Sequence, residues 1–308
     1  ADVPDLPARP VHELARSARQ ANQQADQVDY VTSGRRLAEL LTELQIHVVR
    51  GDTDIRRAAL PALVEACMAA QGYARTLGNA ELALTLARRG YDAARLLERD
   101  DLVALMAMNR GHALMRIGAR YQAASVLTTG IDEATAAPAP GGKDTTVVEG
   151  RGMLHLSAAL LGARDRQQAD TATHLQEARD LARWTGERNH LHYHFGPTNV
   201  ATWELSIGVE SDAGPEAAER FLAADVDVAV LNSKDRASNV HFDLARAWAQ
   251  AGGTRDYEAV RALDTADRIA PLRTRNDPLA RDLAADLRRR ARRRVWELDS
   301  LCNRFGVV

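Results

Sequence analysis

The chain has 308 residues, with 40 Lys or Arg against 42 Asp or Glu, and this near balance excludes a protein that coats nucleic acid over its whole surface. Hydrophobic residues make up 45% but aromatic ones only 5%, an Ala- and Leu-rich composition that suits helices packed closely along their length. Cys67 and Cys302 lie far apart with no CxxC pair, which fits a reducing, cytoplasmic setting; no basic-then-apolar signal segment opens the chain, and no apolar run approaches the ~20 residues of a membrane span.

Residues 1–10 contain three prolines and are expected to be a linker or disordered lead. Val11 to Asp29 favours helix, with a thin apolar stripe at Leu14, Ala18, Ala21 and Ala25. Tyr30 to Val49 is a second helix, with Leu37, Leu40, Leu41, Leu44 and Val48 on one side, and Gly51-Asp52 ends this first hairpin. The next hairpin pairs Leu60–Leu77 with a helix carrying Ala83, Ala87 and Gly90 at spacings of four and three. In the third, Gly111 sits at the helix crossing, Gly118 closes the first helix, and Tyr121, Ala123, Leu127 and Gly130 mark the second. A glycine inside a helix costs about 1 kcal/mol against alanine, so Gly111 and Gly130 require close helix contact.

Residues 135–146 form a Pro- and Gly-rich surface loop; its PGGKDT lacks the first glycine and the Ser or Thr that a phosphate-binding loop needs. The fourth hairpin is Gly152–Ala163 followed by Thr171, Leu175 and Ala178. The fifth runs from Pro197 through Trp203, Leu205 and Val209, turns at 212–215, and returns with Ala217, Phe221 and Ala224. The sixth, Phe242 to Pro271, carries Leu244, Ala245, Ala247 and Trp248, then Ala259, Leu263 and Ala266. Two polar helices, Pro278–Arg290 and Arg292–Arg304, follow as terminal caps.

A small–large–small beat on one helix lets its neighbour approach at the small positions while the large side chain fills the gap between them. It is the signature of the second helix of the tetratricopeptide repeat, whose period is about 34 residues. The anchors at 83, 123, 171, 217 and 259 are more widely spaced, so the array is irregular. The predicted fold is all-α: a tetratricopeptide-like α-solenoid of about six helical hairpins over residues 11–275, with capping helices over 276–308.

GMLHLSAALLGARD (152–165), HFGPTNV (194–200) and FDLARAWAQAGG with its downstream DRIAP (242–271) resemble a family of bacterial, chiefly actinobacterial, transcription regulators. These join an N-terminal helix-turn-helix to a C-terminal tetratricopeptide domain. The resemblance runs from roughly Leu37 onward and is strongest from 150 to 275. It implies a repeat domain that senses a small molecule or peptide, or dimerises, and so controls DNA binding. The sequence has no helix-turn-helix at its start, so the resemblance implies DNA contact only through a part removed or lacking, and a homodimer; no cofactor is expected. A plain protein–protein scaffold is the alternative. No nucleophile–base constellation or dinucleotide fingerprint appears, which points away from an enzyme.

The concave face of such an array is lined by first helices, where polar and aromatic residues lack a packing reason. Counting from Gly111, this face carries Met108, His112 and Arg116; its equivalents carry His155, then Asn199 with Trp203, then Asn239 with Phe242 and Arg246. Asn199 and Asn239 would suit a ligand amide, or else serve as helix N-caps. Of His190, His192 and His194, one facing the groove, His194, is favoured over a zinc site, since no Cys or carboxylate is spaced to complete it. Gly196-Pro197 would equally serve as a tight turn into the next helix. Six arginines between Arg288 and Arg294 read as a solvated capping helix rather than a contact for DNA phosphate.

Overall fold

Helix signals written in single residues set the element boundaries. Asp52, Asn79 and Ser233 each accept a hydrogen bond from a backbone amide of the first helical turn that follows them, at 2.8 Å from Ile55, 3.0 Å from Leu82 and 3.1 Å from Arg236. Gly78 and Gly118 close helices with φ of +80° and +78°, a conformation open to glycine. A computed structural model describes residues 3–137 and 145–307, and the regular structure among them is entirely helical.

The chain begins with α1 (Val11–Asp26), α2 (Tyr30–Gly34) and α3 (Leu37–Arg50). Five pairs follow: α4 (Thr53–Thr76) with α5 (Ala80–Leu96), α6 (Asp100–Arg116) with α7 (Arg120–Ala136), α8 (Thr146–Arg164) with α9 (Gln168–Thr185), α10 (Pro197–Glu210) with α11 (Gly214–Ala223), and α12 (Lys234–Gln250) with α13 (Asp256–Ile269). It ends with α14 (Pro271–Asn276), α15 (Pro278–Arg290) and α16 (Trp296–Phe305). From α4 to α9 each helix packs on the next, and α4, α6, α8 and α10 each also touch the following first helix.

The small residues sit where helices meet. Ala83, Ala87, Ala123, Ala217, Ala259 and Ala266 are buried, as are Leu127 and Leu263 between them. A Cβ on Gly111 would stand 2.7 Å from Leu127 Cδ2, and one on Gly130 would stand 3.0 Å from the Ala107 Cβ. The core falls into two clusters that meet on α10: Val200, Trp203 and Ile207 face the N-terminal one, Leu205 and Val209 the C-terminal one.

Several boundaries differ from the sequence expectation. Tyr30–Val49 is two helices, broken at Arg35-Arg36. α4 starts at Thr53, seven residues earlier than expected, and holds Pro61 inside it; the carbonyl that loses its bond belongs to Arg57, on an exposed stretch where water can replace the missing donor. α11 stops at Ala223, which leaves Ala224 exposed beyond its end. The last helix begins at Trp296 rather than Arg292. The proline-rich lead carries no helix, yet Arg9 is pinned: its guanidinium lies 2.7 Å from Glu43 Oε1, and its carbonyl 2.7 Å from His47 Nε2. Of the loop at 135–146, Thr135 and Ala136 complete α7 and Thr146 opens α8, while 138–144 lie outside the described residues.

The two ends of the array meet. α1 touches α12, and α14 touches α4. Asp26 accepts a hydrogen bond from Ser233 Oγ at 2.5 Å, Gln27 Nε2 donates to the Asn232 carbonyl at 2.6 Å, and the Tyr30 hydroxyl donates to Asp235 at 3.2 Å. Among the described residues no helix is long and apolar enough to cross a membrane.

Candidate functional site: a partly enclosed cavity between the helices

Closure of the two ends leaves a cavity of about 280 Å³ between α1, α4, α6, α8, α10, α12 and α14. Its walls follow from helical register. On α12, Asp235, Asn239, Phe242 and Arg246 recur at four, three and four residues, one stripe opposite the buried Leu244, Ala245 and Trp248. Gly72 and Arg75 face it from α4, His112 and Arg116 from α6, and Trp203, Ser206 and Glu210 from α10. Tyr193, in the connection before α10, and Tyr30 add two more rings.

Charge inside is largely paired. Glu210 joins Arg164, at 3.0 Å, to Arg246, at 2.9 Å, and Arg246 reaches Asp243 at 3.3 Å. The Ser206 hydroxyl donates to Asp243. Burial pushes the Asp243 carboxyl above its usual range, against the pull of Arg246. Burial also opposes charge on Glu210, but the bond from Arg164 and the proximity of Arg246 hold that carboxyl low. Across the cavity Arg273 pairs with Asp235; here too burial opposes ionisation, and Arg273, Arg236 and Arg75 together outweigh it. Arg116 faces Asp277 at 3.8 Å.

One wall is flat and uncharged. The His112 ring stacks on Trp203 with centroids 5.8 Å apart and planes 25° from parallel. Burial, reinforced by Arg75, Arg164, Arg236 and Arg116, drives its pKa down to about 3, so it is neutral. Ser157 spends its proton on the Met153 carbonyl at 2.8 Å. The His112 Nε2–H therefore donates to Ser157 Oγ at 2.9 Å, and Nδ1 keeps a lone pair. The Trp203 Nε1 is buried without a hydrogen-bond partner among the described residues.

Six of the ten residues expected at a groove line this cavity: His112, Arg116, Trp203, Asn239, Phe242 and Arg246. Four do not. Met108 is fully buried in the core, because it shares the Gly111 side of α6, which packs on α7. His155 lies between α8 and α9 with its Nδ1 3.0 Å from that of His174. Asn199 is fully buried and donates to the Tyr193 carbonyl at 2.8 Å, holding the connection down. His194 Nε2 lies 3.0 Å from both Asp26 oxygens, on the seam between the chain ends. Asn199 and Asn239 are not caps: Gly196 and Ser233 occupy those positions.

The three alternating histidines diverge. His190 lies 2.6 Å from Glu149, His192 lines the cavity and His194 meets Asp26. Among the described residues no group of three metal-ligating side chains stands together. In the arginine run, Arg289 pairs with Asp286 at 2.8 Å, Arg290 with Asp256 at 3.3 Å, and Arg294 with Asp299 at 2.7 Å.

Arg75, Asp235, Arg236 and Arg273 escape sequence reasoning, since an arginine on a helix ordinarily marks a wet face. The periodic stripe on α12 is the available signal, since Asp235 extends the Asn239, Phe242 and Arg246 stripe by one turn at its N-terminal end. No family model matches the chain, and no curated protein matches its sequence.

Proposed function

We propose that this protein is a tetratricopeptide-like sensing domain that binds a small molecule or short peptide between its helices and acts on a transcription regulator's DNA-binding part. The solenoid reading is supported by the order in which the hairpins pack and by the burial of the small–large–small anchors. The observation that carries the binding reading is the partly enclosed cavity, whose lining comes from successive first helices and from both ends of the chain.

Its size favours a small ligand over a protein segment. At about 280 Å³ it stands near the lower end of the ~300–1,000 Å³ of small-molecule pockets, whereas a helix ~10 Å across would have to part α1 from α12. That comparison ranks a ligand sensor above the plain scaffold. A ligand in this position would touch α1, α4, α12 and α14 together. Its binding would therefore bias the seam between the chain ends, and small residues at the crossings let neighbouring helices shift in step. The helix-turn-helix and the homodimer that would receive this signal rest on the family resemblance alone.

Gly72 provides the test. It lines the cavity, and a Cβ built there meets nothing within 4 Å. Gly72→Phe therefore starts from a position with room for its Cβ and sends a ring toward the cavity, and a melting curve checks that the variant stays folded. Thermal-shift screening against metabolites and short peptides is expected to find a stabilising compound for the wild type that Gly72→Phe no longer answers to. Equal shifts in both proteins, or tight capture of a helical partner with no small-molecule response, would overturn the reading.

A further inference from the structure

We infer that the cavity takes a small organic anion with a flat apolar body, its carboxylate or phosphate head between Arg75 and Arg236 and its body against Trp203. The inference rests on the small-molecule reading given above and adds the ligand's charge and shape.

The charge follows from which groups already have partners. All five carboxylates of the lining, Asp26, Glu210, Asp235, Asp243 and Asp277, are engaged by hydroxyl, histidine or guanidinium groups. Four of the six arginines take up that negative charge: Arg164, Arg246, Arg273 and Arg116. Two are left over. Arg236 has the Tyr193 carbonyl at 3.4 Å and the face of the Tyr193 ring at 5.9 Å, and no carboxylate within ion-pair distance among the described residues. The Arg75 carbonyl accepts from Gly78 N at 3.1 Å at the helix end, but its guanidinium makes no hydrogen bond or ion pair among the described residues. Two guanidinium groups without a carboxylate partner leave positive charge in one partly enclosed space, and for Arg236 burial opposes that charge; an anion would offset it. Both line the same cavity as the His112 and Tyr193 rings.

The shape follows from the His112–Trp203 wall. Trp203 is nine-tenths buried, and His112 stacked on it is neutral. A planar apolar group gains dispersion there and meets no charge. Guanidinium forks match carboxylate and phosphate oxygens in pairs, which a neutral amide cannot reproduce. A ligand cation would meet both free arginines and be rejected.

Four probes separate the possibilities by isothermal titration of the whole chain: indole-3-acetate, phenyl phosphate, indole-3-acetamide and tryptamine. The expected result is that one or both anions bind, the acid at least about ten-fold more tightly than its amide, while tryptamine does not bind. Which anion binds more tightly tells carboxylate from phosphate. Arg75→Gln and Arg236→Gln should each weaken the anion by about ten-fold or more, with Arg75→Lys recovering part of the loss. Arg75→Gln removes no hydrogen bond or ion pair of the guanidinium among the described residues, and far-UV circular dichroism and a melting curve for each variant keep folding out of the comparison. Equal binding of acid, amide and amine, unaffected by either substitution, would overturn the anion inference while leaving the cavity as a binding site. No binding by any of the four would count against the small-molecule reading itself.

Discussion

Phe195 fills the notch left by Gly152. A Cβ on Gly152 would stand 2.0 Å from Phe195 Cζ, and the ring is almost wholly buried. The aromatic residue of HFGPTNV thus locks the connection before α10 onto α8, and the Tyr193 and His192 lining is held in place behind it. Gly152→Ala should cost about 1–3 kcal/mol by overpacking, more than the helix propensity it gains. Urea unfolding checks this, and Phe195→Leu in the Gly152→Ala background should recover part of the loss. An unchanged midpoint would mean that the ring yields freely.

The contact of Gly111 with Leu127 tests the helix-crossing argument. Leu127 is 1% exposed, and Leu127→Ala should lose about 2–5 kcal/mol through the cavity it opens. Gly111→Ala alone should destabilise, because its methyl would meet Leu127 at 2.7 Å. The double variant should be less damaged than the sum of the two, since the alanine at 111 enters the space vacated by the leucine. Simple additivity in a double-mutant cycle would rule out the crossing as the reason for the glycine.

Asp26 latches the chain ends, with Ser233 at 2.5 Å and His194 at 3.0 Å. Asp26→Ala should lower global stability by only about 1–3 kcal/mol. It should raise amide hydrogen exchange selectively in α1 and across residues 228–233, with α5 to α7 unchanged. Uniform loss of protection would show that the seam is part of the folding core rather than a separable closure.

Acid should weaken the protein well above the carboxylate range. The folded-state pKa values of His112 and His155 lie near 3 and 4, both held down first by burial, against an ordinary value of 6.5. The folded state therefore binds fewer protons than the unfolded one below pH 6.5. The stability tied to the neutral rings is complete above that value and declines as pH falls toward 4. Each histidine contributes a slope of up to about 1.4 kcal/mol per pH unit. Asp243, with its carboxyl raised by burial, works in the opposite direction at the acid end, so the clean window is pH 5 to 6.5. Urea midpoints over that window should fall with pH, and more shallowly in His112→Phe; a flat profile in the wild type would contradict a neutral His112.

The sequence makes local packing legible and closure illegible. Ala83, Ala123, Ala259 and Leu263 announce buried helix crossings because their spacing repeats at the helical period, a property of neighbouring residues. The bond from Ser233 to Asp26 spans 207 residues, and no periodic pattern encodes it. The same division runs through the site. Asn239, Phe242 and Arg246 declare themselves as a stripe on one helix, whereas Arg236, on α12, comes to line one cavity with Arg75, on α4, only once the ends meet. Met108 and His155 mislead because a first helix touches neighbours on three sides, so inward and sideways positions differ by a single residue.

Native mass spectrometry of the whole chain after incubation with a small-molecule extract of bacterial cells tests most directly whether the space inside the closed array is a binding site. The account predicts one non-covalent adduct of a few hundred daltons per chain, lost on denaturation and absent from Gly72→Phe, which fills the space where a Cβ meets nothing within 4 Å. Bare protein alone, or an adduct retained equally by Gly72→Phe, would contradict it.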